Sequence, residues 1–548
     1  MTVLRGVKES LRAFGAVFAN PNLRRLQIAG LGSTLGGWVY GVALAVYAYE
    51  AGGAKLVGLL LCARWGTSAV CAPWLGLLAD RFPRRRVMVA ADFIRVALVA
   101  LMAVLAAAGS SVWPVFALAV LTTIASTAFS PAQGALLPLL VSTPDELTAA
   151  NAVLNTIDSV GMFAGPALAG LLLATTSIWV VFAATAGTFL WSGLCLLRIP
   201  ADSRPPEAEP TPVAAAVLGG FRAIAAHPAL RVVVGLTAAQ TLVAGAFEVL
   251  LVVVALKLLH AGSGGVGWLN TGVGVGALLG VLVVGALAGR KRLAGDLGIG
   301  ILLWGVPLAL VAVWSNLAFA LVLFGLIGLG NTLVDVAGMT LLQRSAEDEV
   351  LGRVFSVLES LVLATLAVGS LVAPALVSLL GTKAALVIVG AFLPALLVPV
   401  WPVLRRVDAA ARVPTEPLEL LRAIPMFSVL PPTVLERLAS LAVEVQVAAM
   451  AEVFAQGDRG DRFYLIAAGT ATVEIDGAEA STLGPGDFFG EIALLRGVPR
   501  TATVRAVQDL RLFALERDDF IAAVTGHAPS REAADSVVAA RLPAGALP

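Results

Sequence analysis

From about Leu26 to Leu404, apolar runs of roughly 18–28 residues follow one another, broken by short polar or Gly/Pro-containing links. A helix needs about 20 residues to cross roughly 30 Å of hydrocarbon, so each run predicts a membrane span. Twelve spans are expected, over 26–49, 56–79, 87–108, 112–137, 150–175, 177–198, 229–255, 264–287, 297–313, 317–342, 353–379 and 383–404. After Pro402 the period changes. The segments "DRFYLIAAG", "TATVEIDG", "TATVRAV" and "RLFALE" alternate apolar and polar positions between Gly and Asp turns. That period of two predicts a β-roll or barrel-like domain flanked by helices. The expected fold is therefore an all-α polytopic membrane protein of 12 transmembrane helices in two six-helix halves, with a C-terminal cytoplasmic β-roll.

Composition removes the soluble alternative. Of 548 residues 59% are hydrophobic and 13% charged, against about 25% charged in ordinary soluble chains. A soluble helical core also needs a polar outside, which these runs do not supply. The first 25 residues carry Arg5, Lys8, Arg12, Arg24 and Arg25, then a long first span without a small-residue cleavage site. An uncleaved chain with its N-terminus in the cytoplasm is expected. Basic links holding Arg81, Arg84, Arg85 and Arg86, and Arg290, Lys291 and Arg292, are assigned to the same side. An even span number returns the C-terminus there too. Cys62, Cys71 and Cys195 fall in spans and His227, His260 and His527 are scattered, so no metal site is expected. No Walker phosphate loop or catalytic set is found, which disfavours an enzyme or an ATP-driven pump.

The halves repeat. "SVGMFAGPALAGLL" at 159–172 and "AVGSLVAPALVSLL" at 367–380 match at seven of fourteen positions. "STPDEL" at 142–147 pairs with "SAEDEV" at 345–350, and "GLLADR" at 76–81 with "GALAGR" at 285–290. Three pairs in one order at similar offsets predict two parallel halves with a substrate site between them. The domains expected are a cytoplasmic segment 1–25, an N-half 26–198, a cytoplasmic link 199–228, a C-half 229–404, a linker 405–416, a ligand-binding domain 417–540 and a tail 541–548.

"GLLADRFPRRR", Gly76 to Arg86, resembles the loop between the second and third helices of major facilitator superfamily transporters. Gly161, Gly165, Pro166 and Gly170 in the fifth span resemble the glycine–proline motif of its exporters. "LPLLVSTPDELTAANAVLN" and "LLQRSAEDEVLGRVFSVLES" extend a resemblance over residues 20–405 to its bacterial efflux branch. Asp80 at a helix end is suited to meet a neighbouring helix N-terminus or an arginine and latch one conformation. Arg84 and Arg86 suit pairing with acids or lipid phosphates, or a plain positive-inside anchor, and Arg81 belongs to the same resembled motif. The glycines and Pro166 favour close packing that shapes a cavity.

Charges inside spans are costly and point to function. The candidates are Arg64, Asp92, Arg95, Asp158, Glu248, Asp335 and Glu359. Asp92 and Arg95, three apart, fit a structural network. Arg64 fits a cavity or a pairing with an acid. Asp158, Glu248 and Asp335 fit proton coupling, substrate contact or interhelical hydrogen bonding. The span 112–137 contains no Arg or Lys, a departure from many proton-driven drug exporters of the resembled superfamily. So few fixed charges favour an amphipathic, largely apolar or lipid-like substrate.

Near the C-terminus, "FFGEIALLRGVPRTATV" places a Gly–Asp turn and a short helix before a returning strand. Phe489, Gly490, Glu491, Ile492 and Ala493 present backbone N–H groups to a phosphate. Glu491 offers a carboxylate to sugar hydroxyls, while Arg500 offers a guanidinium to the anion and Thr501 and Ala502 complete the cradle. The string resembles the phosphate-binding cassette of cyclic-nucleotide-binding domains, with Gly457, Gly469 and Asp487 fitting their turns over 417–540. The resemblance implies cAMP, or cGMP, as a regulatory ligand, with cAMP expected first. The short tail leaves no room for a helix-turn-helix, so no nucleic-acid partner is expected. The combined expectation is a multi-pass exporter of the bacterial cytoplasmic (inner) membrane, in contact with membrane lipids and regulated by cyclic nucleotide. The alternative is a transport-inactive membrane sensor or scaffold.

Overall fold

The structure, a computed structural model, describes residues 15, 17–141, 143–200, 213–287, 293–345, 348–410 and 414–541. The remaining parts of segment 1–25, link 199–228, linker 405–416 and tail 541–548 lie outside the described residues, as do Arg290, Lys291 and Arg292.

The first region begins with α1 (Pro21–Arg81), whose N-terminal N–H groups are met by the Asn20 carboxamide. It continues through α2 (Arg84–Ala107), α3 (Val112–Leu140), α4 (Pro144–Thr175), α5 (Ile178–Leu197) and α6 (Val213–Ala226). Six further helices follow: α7 (Pro228–Val253), α8 (Gly262–Leu287), α9 (Leu293–Val311), α10 (Leu317–Ser345), α11 (Asp348–Leu380) and α12 (Thr382–Ala410).

Among the described residues, eleven helices are long and apolar enough to cross a membrane. This corrects the expected twelve separate spans. The runs 26–49 and 56–79 belong to one helical element, α1, broken only by non-helical backbone at Gly52 and Gly53. Arg64 stands 5.5 Å from the Tyr40 ring, whereas 24 residues of straight helix would separate the two by about 36 Å. The chain therefore doubles back at these glycines, and Gly53, with φ +64°, takes a conformation other residues resist.

Helix α4 packs on α1 and on α8, while the second arm of α1 packs on α11. A Cβ on Gly267 would lie 2.3 Å from the Gly170 Cα, and one on Gly58 would lie 2.4 Å from the Ser370 carbonyl oxygen. Ser263 Oγ donates to the Leu173 carbonyl at 3.1 Å and Ser370 Oγ to the Gly58 carbonyl at 3.2 Å. These contacts between halves gather at the α1-kink end, opposite Arg84–Arg86.

Residues Met1–Ala411 and Arg412–Pro548 form two compact units. In the second, helices α13 (Thr415–Ala423), α14 (Pro425–Ser428) and α15 (Pro432–Leu441) precede the strands. These are β1 (Val443–Val447), β2 (Glu452–Phe454), β3 (Arg462–Ala468), β4 (Ala471–Ile475), β5 (Ala478–Leu483), β6 (Phe488–Phe489), β7 (Thr503–Ala506) and β8 (Leu510–Glu516). Helix α16 (Glu491–Arg496) interrupts them, and α17 (Arg517–Thr525) and α18 (Ala528–Arg541) follow. Two four-stranded antiparallel sheets result, in the orders β1-β8-β3-β6 and β2-β7-β4-β5. The expected β-roll is corrected accordingly: each sheet ends on edge strands that do not pair with the other, so no curled or closed sheet forms. The β4–β5 hairpin turns on Asp476 and Gly477, both at positive φ, the two-residue turn that matches strand twist. Phe463 on β3 stacks on Phe520 of α17 at 4.7 Å and meets Phe427 of α14 edge-on at 5.5 Å, which fastens the helices to the sheet.

Candidate functional site

In the second unit, β6 delivers Phe489 into the core and the chain turns at Gly490, φ +89°. A Cβ there would fall 2.6 Å from Arg500 Nη1, so glycine is required both by the backbone and by the arginine. Glu491, buried, opens α16, in which Ile492 is half-buried and Ala493 buried. A second positive-φ glycine, Gly497, ends the helix and returns the chain to Arg500, with Thr501 half-buried and Ala502 buried just before β7.

Arg500 is 3% exposed. Its Nη1 donates to the Gly490 carbonyl at 3.0 Å, and its Nη2 to the Arg462 carbonyl at 2.8 Å and to Asp461 Oδ1 at 3.2 Å. The guanidinium lies 4.1 Å from the Phe454 ring centre, and its buried Nε has no partner. Burial pushes the guanidinium below its ordinary pKa, with the nearby Tyr464 and Asp461 acting the other way. Glu491 Oε1 accepts from Arg541 Nη1 at 2.9 Å, and that same nitrogen donates to the Phe488 carbonyl at 2.8 Å. Burial raises the Glu491 carboxyl, and Arg541 opposes the rise. The cradle thus brings together a buried cation with one unsatisfied donor and a buried carboxylate, on either side of the Gly490 turn. That pairing suits an anionic, hydroxyl-bearing ligand. Asp461, Phe454 and Arg541 were not singled out from the sequence, since strands and a terminal helix distant in the chain bring them in.

In the first region, Arg95 Nη2 pairs with Asp92 Oδ1 and its Nη1 donates to Ser33 Oγ at 3.1 Å. Ser192 Oγ donates to Asp92 Oδ2 at 2.7 Å, so the buried pair ties α2 to α1 and α5. The Arg95 guanidinium also lies between the rings of Phe129 and Phe189, at 4.6 and 4.4 Å. Glu248 on α7 accepts from Trp65 Nε1 on α1 at 3.0 Å, a hydrogen bond across the halves. Asp335 accepts from Gln240 Nε2 at 3.1 Å and from Asn331 Nδ2 at 2.7 Å, while Trp304 Nε1 donates to Asn331 Oδ1. Thr34 Oγ1 donates to Asp158 Oδ1 at 3.3 Å, and Glu359 is exposed on α11. Arg64 Nε donates to Thr123 Oγ1 at 3.4 Å. Asn331, one helical turn before Asp335, was not singled out from the sequence, and neither were Trp65 and Trp304.

The glycine motif meets two neighbours. A Cβ at Gly161 would strike Thr34 Cγ2 at 2.4 Å, and one at Gly165 would strike Trp38 Cβ at 2.4 Å, so both seat α4 on α1. Gly170 faces Gly264 and Gly267 of α8, and the Pro166 carbonyl faces Gly267. At the far end of α1, the side-chain surroundings of Gly76 and Asp80 lie outside the described residues. Arg81 and Arg86 are exposed and Arg84 is half-buried. Arg85 instead donates to the Leu196 and Leu197 carbonyls at 3.1 and 2.8 Å, meeting the free carbonyls at the end of α5. No group of three or more metal-ligating side chains occurs among the described residues.

Comparison with known proteins agrees with this division. The Major Facilitator Superfamily pattern matches residues 26–293 and 236–468, and the cyclic nucleotide-binding domain pattern matches residues 444–527. Two curated Mycobacterium tuberculosis proteins described as uncharacterized, from strains CDC 1551 / Oshkosh and ATCC 25618 / H37Rv, are each 39% identical over 112 residues. The match covers 20% of this chain and 22% of theirs, so the chain spans about a fifth of the length of these relatives. Among solved structures, the regulatory domain of Toxoplasma gondii PKA with cAMP is 34% identical over 20% of this chain and 43% of its own, at TM-score 0.19. The cAMP-bound PfPKA-R is 21% identical over 24% of this chain and 49% of its own, at TM-score 0.21. Neither matching family is one of catalytic enzymes. The chain is a multi-pass membrane protein that belongs to the Major Facilitator Superfamily, with a transporter-fold region fused to a cyclic nucleotide-binding domain.

Proposed function

We propose that this chain is a secondary active exporter of amphipathic or lipid-like small molecules whose transport cycle is tuned by cAMP. The site is the bacterial cytoplasmic membrane, with the N-terminus and the nucleotide-binding domain in the cytoplasm, following the basic Arg81–Arg86 end of the helices. One observation carries the regulatory half: Arg500 and Glu491 are both buried and flank one glycine turn, with Arg500 Nε left without a partner. The arginine meets the cyclic phosphate and the carboxylate meets the ribose. In the transporter, the Trp65–Glu248 hydrogen bond and the Gln240–Asn331–Asp335 cluster are proposed to take part in coupling, with Asp158 and Glu359 as further candidates. Gly76, Asp80, Arg81, Arg84 and Arg86 are proposed as the latch, and Gly161, Gly165, Pro166 and Gly170 as the close-packed sliding surface.

Calorimetric titration of the purified chain with cAMP and with cGMP tests the cradle. Wild type binds cAMP more tightly, and Arg500→Ala loses at least tenfold with its folding transition intact. Equal binding by both proteins refutes the assignment, and tighter cGMP binding changes the ligand.

A further inference from the structure

We propose that a cavity inside the first half binds the anionic headgroup of an amphipathic substrate, with Arg64 as the charge that meets it. The inference rests on the transport reading above and names the substrate class. The cavity, about 290 Å³, is lined by α1, α2, α3 and α5 residues that include Tyr40, Arg64, Trp65, Ser68, Arg95 and Phe189. That volume is at the lower end for small-molecule sites, about 300–1,000 Å³, and suits a headgroup rather than a whole lipid.

Its lining contains two cations and no carboxylate. Arg95 already has Asp92 as counter-ion. Arg64 does not: its one hydrogen bond among the described residues is the long one from Nε to Thr123 Oγ1, with the Tyr40 ring beside it. No carboxylate lies within ion-pair distance of Arg64 among the described residues. Glu248, on the opposite half, lies near enough to feel the Arg64 charge but forms no ion pair with it, its hydrogen bond coming from Trp65. The hydroxyls of α3 do not supply the missing charge, because Thr123, Ser126 and Thr127 each donate to a carbonyl of their own helix. A half-buried guanidinium inside a membrane is costly without a counter-charge. A second observation points the same way. Arg95, 4% exposed and also lining the cavity, keeps its Nε without a partner. The cavity therefore presents positive charge and free N–H donors beside the aromatic rings of Tyr40, Trp65 and Phe189. An alkyl or aryl anion satisfies both features: its carboxylate or phosphate meets the guanidinium and its apolar body lies against the rings.

The test is binding to the full chain in phosphatidylcholine nanodiscs, corrected against empty discs. The probes are octyl phosphate, octanoate, a neutral octyl glycerol ether and octylammonium. Wild type binds at least one anion tenfold or more tighter than the neutral and cationic probes. Arg64→Gln loses at least tenfold for the anion, Arg64→Lys recovers part of the loss, and the neutral probe binds as before. A phosphate preference points to a lipid-derived monoester and a carboxylate preference to a fatty acid. Equal anion affinity in wild type and Arg64→Gln, each with an intact folding transition, overturns the proposal, as does equal binding of the neutral or cationic probe by wild type. Binding is read without transport. Anion binding by a chain that moves none of the probes keeps the site and removes the exporter reading instead.

Discussion

Replacing Arg541 with alanine isolates one contact between the last helix and the nucleotide cradle. Arg541 Nη1 donates to Glu491 Oε1 and to the Phe488 carbonyl, and its guanidinium lies 4.2 Å from the Phe488 ring centre. Truncating one partner of a buried, hydrogen-bonded ion pair costs about 3–5 kcal/mol. Here the arginine side chain is 32% exposed while Glu491 is 2% exposed, so water replaces part of what is lost. The discounted cost is about 1–2 kcal/mol, or roughly a 5- to 30-fold change in a local opening equilibrium. Hydrogen exchange on the full chain reads that change directly. Peptides covering 488–496 and 528–541 exchange about 5- to 30-fold faster at pH 7 in Arg541→Ala, while the β4–β5 hairpin is unchanged. The pH dependence has a definite sign. Burial raises the Glu491 carboxyl in the folded state, so the folded protein binds the proton more tightly than the unfolded one. The carboxyl's contribution to stability is fully present below its ordinary pKa and is lost as pH rises through the raised folded value. Without Arg541 the carboxyl rises further, so the variant's deficit shrinks on acidification through that window. Unchanged protection in both peptides would refute the claim that Arg541 fastens α18 to the cradle.

Glu248→Gln and Asp335→Asn each change the pH dependence of transport in proteoliposomes; unchanged flux and pH profile in both removes the coupling proposal. Gly267→Ala places a methyl 2.3 Å from the Gly170 Cα and costs about 1–3 kcal/mol by overpacking, so cysteines at Leu173 and Ser263 in a cysteine-free background cross-link less; an undiminished yield contradicts the role given to this seam. Asp92→Asn leaves Arg95 buried without its counter-charge and lowers thermal stability by about 3–5 kcal/mol, and an unchanged melting temperature shows that Phe129, Phe189 and Ser33 suffice to hold the arginine.

The apolar runs made the membrane region legible because bilayer thickness imposes a length that composition reveals. The doubling-back at Gly52–Gly53 falls in the link expected between 49 and 56; what the sequence did not show is that one helical element runs through that link, broken only at the two glycines. The cradle was legible because its chemistry is local. A glycine turn, Glu491 and Arg500 lie within eleven consecutive residues, 490–500. Arg541, Asp461 and Phe454 were not legible, since the sheets and α18 bring them to the cradle from distant parts of the chain. The strands showed their period of two, but not that they divide into two separate open sheets, which depends on strand order. In the membrane region, Asp92 and Arg95 read as a pair from helical spacing, whereas the Trp65–Glu248 bond depends on how the halves meet.

The central claim, that nucleotide in the cradle sets transport, is tested by flux of an amphipathic anion through proteoliposomes containing the purified chain, with and without cAMP on the cradle side. The account predicts that cAMP changes the initial rate in wild type and leaves Arg500→Ala at its nucleotide-free rate. A wild-type rate that stays the same at saturating nucleotide, with binding confirmed in the same vesicles, would contradict it.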